Sequence, residues 1–384
     1  MFVLRDYQQA AVTANVNYAL GKKNDAVLSV LPTGSGKSLI IASIIKALEP
    51  YGPIIVFQPS KEILEQNYAK LMAYNMINAS IFSASLNKKV LSNITFATIG
   101  SVINHPQISG MYKFIIIDEC HKVNAKGGMY EKFIRKANVQ VMGFTATPYR
   151  LASNSYGAIL RFLTRTQPRI FKQLVHNTQT KELFDRGYLA KTNYYAINLI
   201  DKKRLVSNST GADYTDKSVL AEYKRIGYDA ALEKIVRRLL VSGKTKILVF
   251  TRFVAEAEYL MRKMPGIVEV VSAKTKKEER ERITYEFRAG IIKIVANVGV
   301  YTIGFDFPEL EVVVIAKSTK SLALYYQMGG RVLRPHKSKP EAWIVDLGMN
   351  FEFFGKIEDL VISAPRGTLW EVSSKGKVLT NIYY

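Results

Sequence analysis

The stretch from Ala26 to Leu48 constrains the fold most. An apolar run, Ala26 to Leu31, breaks at Pro32-Thr33-Gly34-Ser35-Gly36-Lys37-Ser38 and passes into a helix-like segment. Strand, glycine loop and helix in that order set backbone N–H groups at a helix N-terminus, where negative charge is favoured. Gly34 and Gly36 let the backbone turn inward around phosphate oxygens with Thr33 and Ser35 beside them, Lys37 reaches the terminal phosphates, and Ser38 offers a hydroxyl to Mg²⁺. The general pattern has glycine where this chain has Leu31, and a Gly-rich helix entry is also an ordinary turn, so the loop implies a triphosphate site that the rest of the chain must support.

A length of 384 residues suits two domains, and 48% hydrophobic with 22% charged residues allows real cores. No apolar run is long enough to span a bilayer and the N-terminus lacks a signal-peptide pattern, so a cytoplasmic protein without a membrane partner is expected. Cys120 is the only cysteine, which excludes an intrachain disulfide and a cysteine-rich zinc site. The 54 Lys and Arg against 32 Asp and Glu leave a net charge of +22, an excess that attracts polyanions through counterion release. Nucleic acid is the leading partner; a merely soluble basic surface or an acidic membrane surface would also use such charge.

Short β-branched runs alternate with helical segments twice over. Ala26 to Leu31, Ile54 to Gln58, Ile94 to Ala97, Phe114 to Asp118 and Val139 to Thr145 read as buried parallel strands. Lys246 to Thr251, Val268 to Ser272, Lys293 to Ala296, Val312 to Ala316 and Ala342 to Asp346 repeat the rhythm, with helices near Val254 to Met264, Lys276 to Ala289 and Ser321 to Gly330. The expected fold is α/β, with two doubly wound parallel-sheet domains. Leu151 to Gly243 reads as connector plus loops and the entry to the second domain, with the boundary near Arg150 to Gln167. The expected division is 1–155, 156–350 and a tail, 351–384, whose aromatics (Phe351, Phe353, Phe354, Trp370, Tyr383, Tyr384) dock on the core rather than stack on bases.

Asp118 and Glu119 stand at the C-terminal tip of a buried strand, where open α/β sheets bind ligands. Asp118 is placed to hold Mg²⁺, and Glu119 to orient and deprotonate the water that attacks the γ-phosphate. Thr145 and Thr147 end the next strand beside the same crevice. Arg331 and Arg334 lie three apart, on one face if the segment is helical, and are candidates for stabilising a transferring phosphoryl group.

The ordered series Leu4 to Gln8, Leu31 to Ser38, Pro59 to Glu62, Asp118 to His121, Thr145 to Thr147, Asn297 to Pro308 and Gln327 to Arg334 resembles the motif set of superfamily 2 helicases and translocases, which also accept Leu31. The resemblance runs from residue 4 to about residue 347 and implies two RecA-like domains with an ATP and Mg²⁺ cleft between them. It is strongest toward bacterial DNA-repair members, which carry a further cysteine-rich part; the motor alone is expected in this sequence. The resemblance further implies that Arg5 and Gln8 read adenine, Gly304 brings backbone to the γ-phosphate, Asp306 contacts the ribose, and Gln327 aligns the attacking water. His121, Thr145 and Thr147 would couple the site to the domain interface. Arginine is frequent in the family where this chain has Met328. Pro59, Ser60, Lys61, Thr98, Gly100, Ser101, Thr251, Arg252 and Thr302 correspond to segments that grip a nucleic-acid backbone. A DNA helicase or translocase follows as the leading expectation, acting on single-stranded, forked or branched DNA, with a repair or recombination protein as a further partner. An RNA helicase, a motor subunit of a restriction or repair assembly and a passive nucleic-acid binder remain alternatives.

Overall fold

The computed structural model describes residues 3–21, 24–73, 78–154, 157–302, 304–367 and 369–382. The basic pair Lys22-Lys23 and the aromatic pair Tyr383-Tyr384 lie outside the described residues. The chain forms two compact units that are discontinuous in sequence. Unit 1 comprises Met1–Arg150, Leu160–Gln179 and Ile362–Val372, and unit 2 comprises Leu151–Ile159, Thr180–Val361 and Ser373–Tyr384.

Unit 1 is built on an eight-stranded sheet. Its strands are β1 (Ala26–Val30), β2 (Ile54–Phe57), β3 (Ala79–Ser83), β4 (Lys88–Lys89), β5 (Ile94–Ala97), β6 (Phe114–Asp118), β7 (Gln140–Thr145) and β8 (Phe171–Asn177). The order is β8-β1-β7-β6-β2-β5-β3-β4, parallel throughout except for the β3–β4 pair. Buried Val, Ile and Phe side chains of the inner strands explain why those strands read as unbroken apolar runs. Ser29 is the polar exception in β1. It is fully buried and satisfied by Asn15 of helix α1 (Asp6–Ala19), which donates to Ser29 Oγ at 2.8 Å and accepts back at 3.0 Å. Gly143 in β7 is required by space, since a Cβ there would come within 2.9 Å of Cys120 Sγ and still nearer the Phe171 ring.

Unit 2 carries a second, six-stranded sheet that is parallel throughout. Its strands are β9 (Thr192–Ala196), β10 (Ile247–Thr251), β11 (Val268–Val271), β12 (Ile294–Asn297), β13 (Val312–Ala316) and β14 (Ala342–Asp346), in the order β9-β14-β13-β10-β12-β11. Both sheets are of the RecA-like α/β kind. All ten expected strands are present within a residue or two of the bounds read from sequence.

The stretch from Leu151 to Gly243, expected as connector, loops and the entry to the second domain, carries more regular structure than that. It contributes β8 to the first sheet, β9 to the second, and two consecutive helices, Asp216–Ile226 and Tyr228–Val241. The second helix buries Tyr228, Leu232, Val236 and Leu239 at helical spacing. Gly227, with φ 62°, separates the two helices and hides the joint length of the pattern. β8 escaped notice because it is an edge strand: only Phe171 is buried, and Lys172 and Gln173 are exposed.

In the last segment Phe351 stacks on Tyr194 at 5.5 Å and Phe354 on Tyr325 at 5.4 Å, all inside unit 2. Gln179 and Ile362 exchange two hydrogen bonds, of 2.7 and 3.2 Å, inside unit 1.

Glu256 gives unit 2 a pH-dependent stability. It is 3% exposed, its Oε2 accepts the Arg252 and Phe253 amides at 3.0 and 3.5 Å, and Oε1 has no partner among the described residues. Burial raises its pKa from 4.5 to about 8. The folded state therefore holds a proton that the unfolded chain releases, so this contribution is full below pH 4.5 and is lost as pH rises to about 8. The slope is at most ~1.4 kcal/mol per pH unit. Glu256→Gln is expected to flatten that dependence, checked by the unfolding midpoint of both proteins across this window; identical slopes would show that Glu256 is ionised in the fold.

Candidate nucleotide site and strand-contact segments

The glycine loop leaves the C-terminal end of β1, and Leu31 N donates to Thr145 O at 3.0 Å, which ties the loop to β7. Gly34 and Gly36 hold φ 87° and 80°, and helix α2 (Lys37–Leu48) begins directly after. Its apolar face, with Ile40, Ile41, Ile44, Ile45 and Leu48 buried, fixes the helix on the sheet and aims its N-terminus at the loop. Tyr7 OH and Gln8 Nε2 both donate to Ser35 O, at 2.7 and 2.9 Å, and Gln8 Oε1 accepts the Arg5 amide at 2.9 Å. Gly36 needs glycine for its left-handed backbone, φ 80°, and a Cβ there would also press on Gln8 Nε2 at 2.6 Å.

Asp118 closes β6, two strands from β1, and Glu119 follows in a left-handed turn with φ 49°. Lys37 Nζ meets Asp118 Oδ1 at 2.7 Å and is also paired with Glu119 Oε1. Burial opposes the Lys37 charge, but the two carboxylates outweigh it and hold its pKa above the usual lysine value. Glu119 moves the other way: burial favours its protonated form, yet Lys37 and His121 hold it well below the usual carboxylate range. Burial, with the Glu119 charge, raises Asp118 despite Lys37. Lys37 and His121 thus favour the charged form of Glu119 beside the glycine loop.

His121 Nδ1 stands 2.9 Å from Thr145 Oγ1, 3.2 Å from Thr147 Oγ1 and 3.3 Å from Glu119 Oε2. His121, Thr145, Thr147 and Glu119 therefore form one connected polar cluster. Ser38 Oγ donates to Asn67 Oδ1 at 2.9 Å, and Asn67 Nδ2 donates to Asp118 Oδ2 at 3.1 Å. Tyr7 and Asn67 were missed from sequence. Asn67 left a signal, a polar residue on the buried stripe of helix α3 (Lys61–Met72).

These residues suit ATP with Mg²⁺. The buried Ser35 Oγ has no partner among the described residues, Gly34 and Gly36 hold the left-handed backbone of the loop, and Ser38 with Asp118 supplies the hard oxygen donors that Mg²⁺ takes. Thr33, Gly34, Ser35, Gly36, Lys37 and Ser38 would hold the phosphates.

The candidate strand segments of unit 1 are adjacent. Pro59-Ser60-Lys61 follows β2 and Thr98-Ile99-Gly100-Ser101 follows β5, its parallel neighbour, and Gln58 N donates to Ala97 O at 2.9 Å where the two strands end. Ser60 Oγ caps α3 by accepting the Ile63 amide at 3.4 Å, Thr98 and Ser101 share a 2.8 Å hydroxyl contact, and Gly100 is exposed.

In unit 2 the expected residues are held internally. Arg331 donates to Gln327 O at 3.1 Å and Phe305 O at 3.0 Å; it lies in a 3-10 turn after the helix Leu322–Gly329, and Arg334, beyond that turn, pairs with Asp306. Gly304 has φ 79°. Thr251 is buried with its hydroxyl on Phe253 O at 3.1 Å, whereas Thr302 is half-buried. Arg252 binds Tyr214 O at 2.6 Å, Asp216 at 2.9 Å and Ser318 O at 3.3 Å.

Two α/β units with parallel sheet cores, a glycine loop leaving the first strand of one of them and an acidic pair two strands away define the P-loop nucleotide-site class with RecA-like units. Residues 1–150 match the family of the type III restriction enzyme res subunit, and residues 230–336 match the helicase conserved C-terminal domain. The chain is 26% identical over 84% of its length to a 51.5 kDa protein of a Lactococcus phage, covering 66% of that protein. It is 24% identical over 90% of its length to the DNA 3'-5' translocase XPB2 of Sulfurisphaera tokodaii, covering 81% of it. Its fold is similar to a fragment described as an HsdR subunit of a type I restriction enzyme from Vibrio vulnificus, with a TM-score of 0.70, 20% identity, and 93% of this chain and 66% of that one covered. The two matched regions are those of a superfamily 2 helicase core, which the chain resembles in both parts. It spans about half to two thirds of the length of the first curated relatives it matches.

Proposed function

We propose that the chain is an ATP-dependent DNA helicase or translocase that couples Mg²⁺-supported ATP hydrolysis to movement on, or remodelling of, DNA in repair, recombination or branch migration. The observation that carries this reading is the convergence of Lys37, Ser38, Asp118 and Glu119 at the C-terminal edge of one parallel sheet. Lys37 would take the β- and γ-phosphates, Glu119 would activate the attacking water, and Ser38 with Asp118 would hold the cation, whose charge would offset that of the phosphates. Gln327, Arg331 and Arg334 keep the catalytic roles implied by the resemblance, as do Arg5, Gln8, Gly304 and Asp306 toward the nucleotide. Pro59, Ser60, Lys61, Thr98, Gly100 and Ser101 form the grip on the phosphate backbone, and the net charge of +22 suits it.

DNA is favoured over RNA by the name of the XPB2 relative and by the finer resemblance of Asp185-Arg186-Gly187-Tyr188-Leu189 and Gly304-Phe305-Asp306 to the bacterial DNA-repair helicase RadD. A second reading, the motor subunit of a restriction assembly, is favoured by the res-subunit match over residues 1–150 and by the HsdR-like fold. A cytoplasmic site of action fits the single, buried Cys120.

ATP turnover measured alone, with single-stranded, duplex and forked DNA, and with RNA of the same sequence decides among them. DNA is expected to raise turnover and RNA to leave it unchanged. Equal stimulation by both would give the RNA-helicase reading its support, and a DNA-stimulated motor that co-purifies with a nuclease would move the protein to the restriction reading.

A further inference from the structure

Helix α3 carries a polar residue where its pattern calls for an apolar one. Ile63, Leu64 and Leu71 are buried, and Asn67 stands three residues after Leu64 and four before Leu71, on the same face. A carboxamide placed there needs partners. Asn67 Oδ1 accepts the Ser38 hydroxyl at 2.9 Å, while Nδ2 donates to Asp118 Oδ2 at 3.1 Å and to Gln58 Oε1 at 3.0 Å. The Asp118 carboxylate sets the amide orientation, because the flipped form would put its oxygen against that carboxylate.

On the basis of the ATP and Mg²⁺ reading above, we infer that Asn67 is a positioning residue that presents Ser38 and Asp118 to the cation. A hydroxyl that gives a lone pair to a cation must direct its proton to an acceptor, and Asn67 Oδ1 is that acceptor. Lys37 and the Glu119 amide, at 2.7 and 2.9 Å, occupy Asp118 Oδ1, so the Asn67 donor is what orients Oδ2. Removing the amide frees Ser38 to rotate and lets the Asp118 carboxylate turn toward Lys37. The Gln58 bond ties the same amide to the residue that precedes Pro59-Ser60-Lys61, so the cation donors and a candidate strand segment share one support.

Outer partners of this kind are worth roughly 10- to 100-fold in metal affinity. The test compares wild type with Asn67→Ala and Asn67→Leu, the second filling the volume without hydrogen bonds. Binding of Mn²⁺ with ADP is followed by electron paramagnetic resonance, nucleotide affinity is measured in EDTA, and hydrolysis is titrated with Mg²⁺. Mn²⁺ is expected to bind at least ~10-fold more weakly to both variants and the Mg²⁺ needed for half-maximal turnover to rise in parallel, with affinity in EDTA unchanged. A general folding defect would lower turnover and affinity together without shifting the Mg²⁺ requirement. Mn²⁺ affinity within about twofold of wild type in either folded variant overturns the role of Asn67 while leaving the motor reading intact. Absence of Lys37-dependent hydrolysis in the wild type removes that reading, and the positioning role with it.

Discussion

Lys37→Ala is expected to lower ATP turnover by roughly 10²-fold or more, because on the proposed reading Lys37 is the loop's cation for the phosphates. It should also cost stability. Lys37 is the shared partner of Asp118 and Glu119, whose side chains are only 4% and 18% exposed. Taking one partner out of a buried ion network leaves uncompensated charge, at about 3–5 kcal/mol. Lys37→Arg separates the two effects: it restores the charge and most of the stability, but its planar fork does not replace an ammonium in the loop, so turnover stays low. Steady-state hydrolysis, nucleotide affinity and thermal unfolding of the three proteins provide the check. Turnover unchanged in Lys37→Ala would remove the phosphate loop from the mechanism.

Glu119→Gln is expected to separate binding from hydrolysis. The amide keeps the size and hydrogen-bonding reach of the carboxylate but has no basicity, so ATP affinity stays near wild type while single-turnover hydrolysis falls by roughly 10²- to 10⁴-fold. The left-handed backbone at Glu119 is set by the turn leaving β6 and does not depend on the carboxylate, so the fold survives the change. Hydrolysis near the wild-type rate would assign water activation to another group. The nearby carboxylate, Asp118, is the first to examine, since its Oδ1 shares Lys37 with Glu119.

The parts of the fold legible from sequence were those where burial writes a strong pattern. β6, Phe114-Ile115-Ile116-Ile117-Asp118, lies between two other strands, is buried on both faces and could be read residue by residue. β8 is covered on one edge only and tolerates Lys172 and Gln173, so it left no comparable run. The candidate nucleotide site was legible where chemistry demands a residue type, as at Gly36, Lys37 and Asp118. Asn67 was not, because an amide that supports other side chains meets no requirement of sequence spacing; only its place on the buried stripe of α3 gives it away. Arg331 and Arg334 could be picked out by type, but their bonds to Phe305 O and Asp306 depend on tertiary placement that sequence separation conceals.

The pairing of β8 with β1 also has a temporal side. β1 carries the phosphate loop and has five buried residues, yet one of its edges is covered only by Phe171–Asn177. While the chain is being made, the ribosome must release nearly 150 further residues after β1 before that neighbour exists. Until then β1 is an apolar edge strand open to pairing with another nascent chain. Any shortened form ending between Thr145 and Phe171 would carry that condition permanently, retaining every phosphate-loop residue and yet tending to aggregate rather than bind.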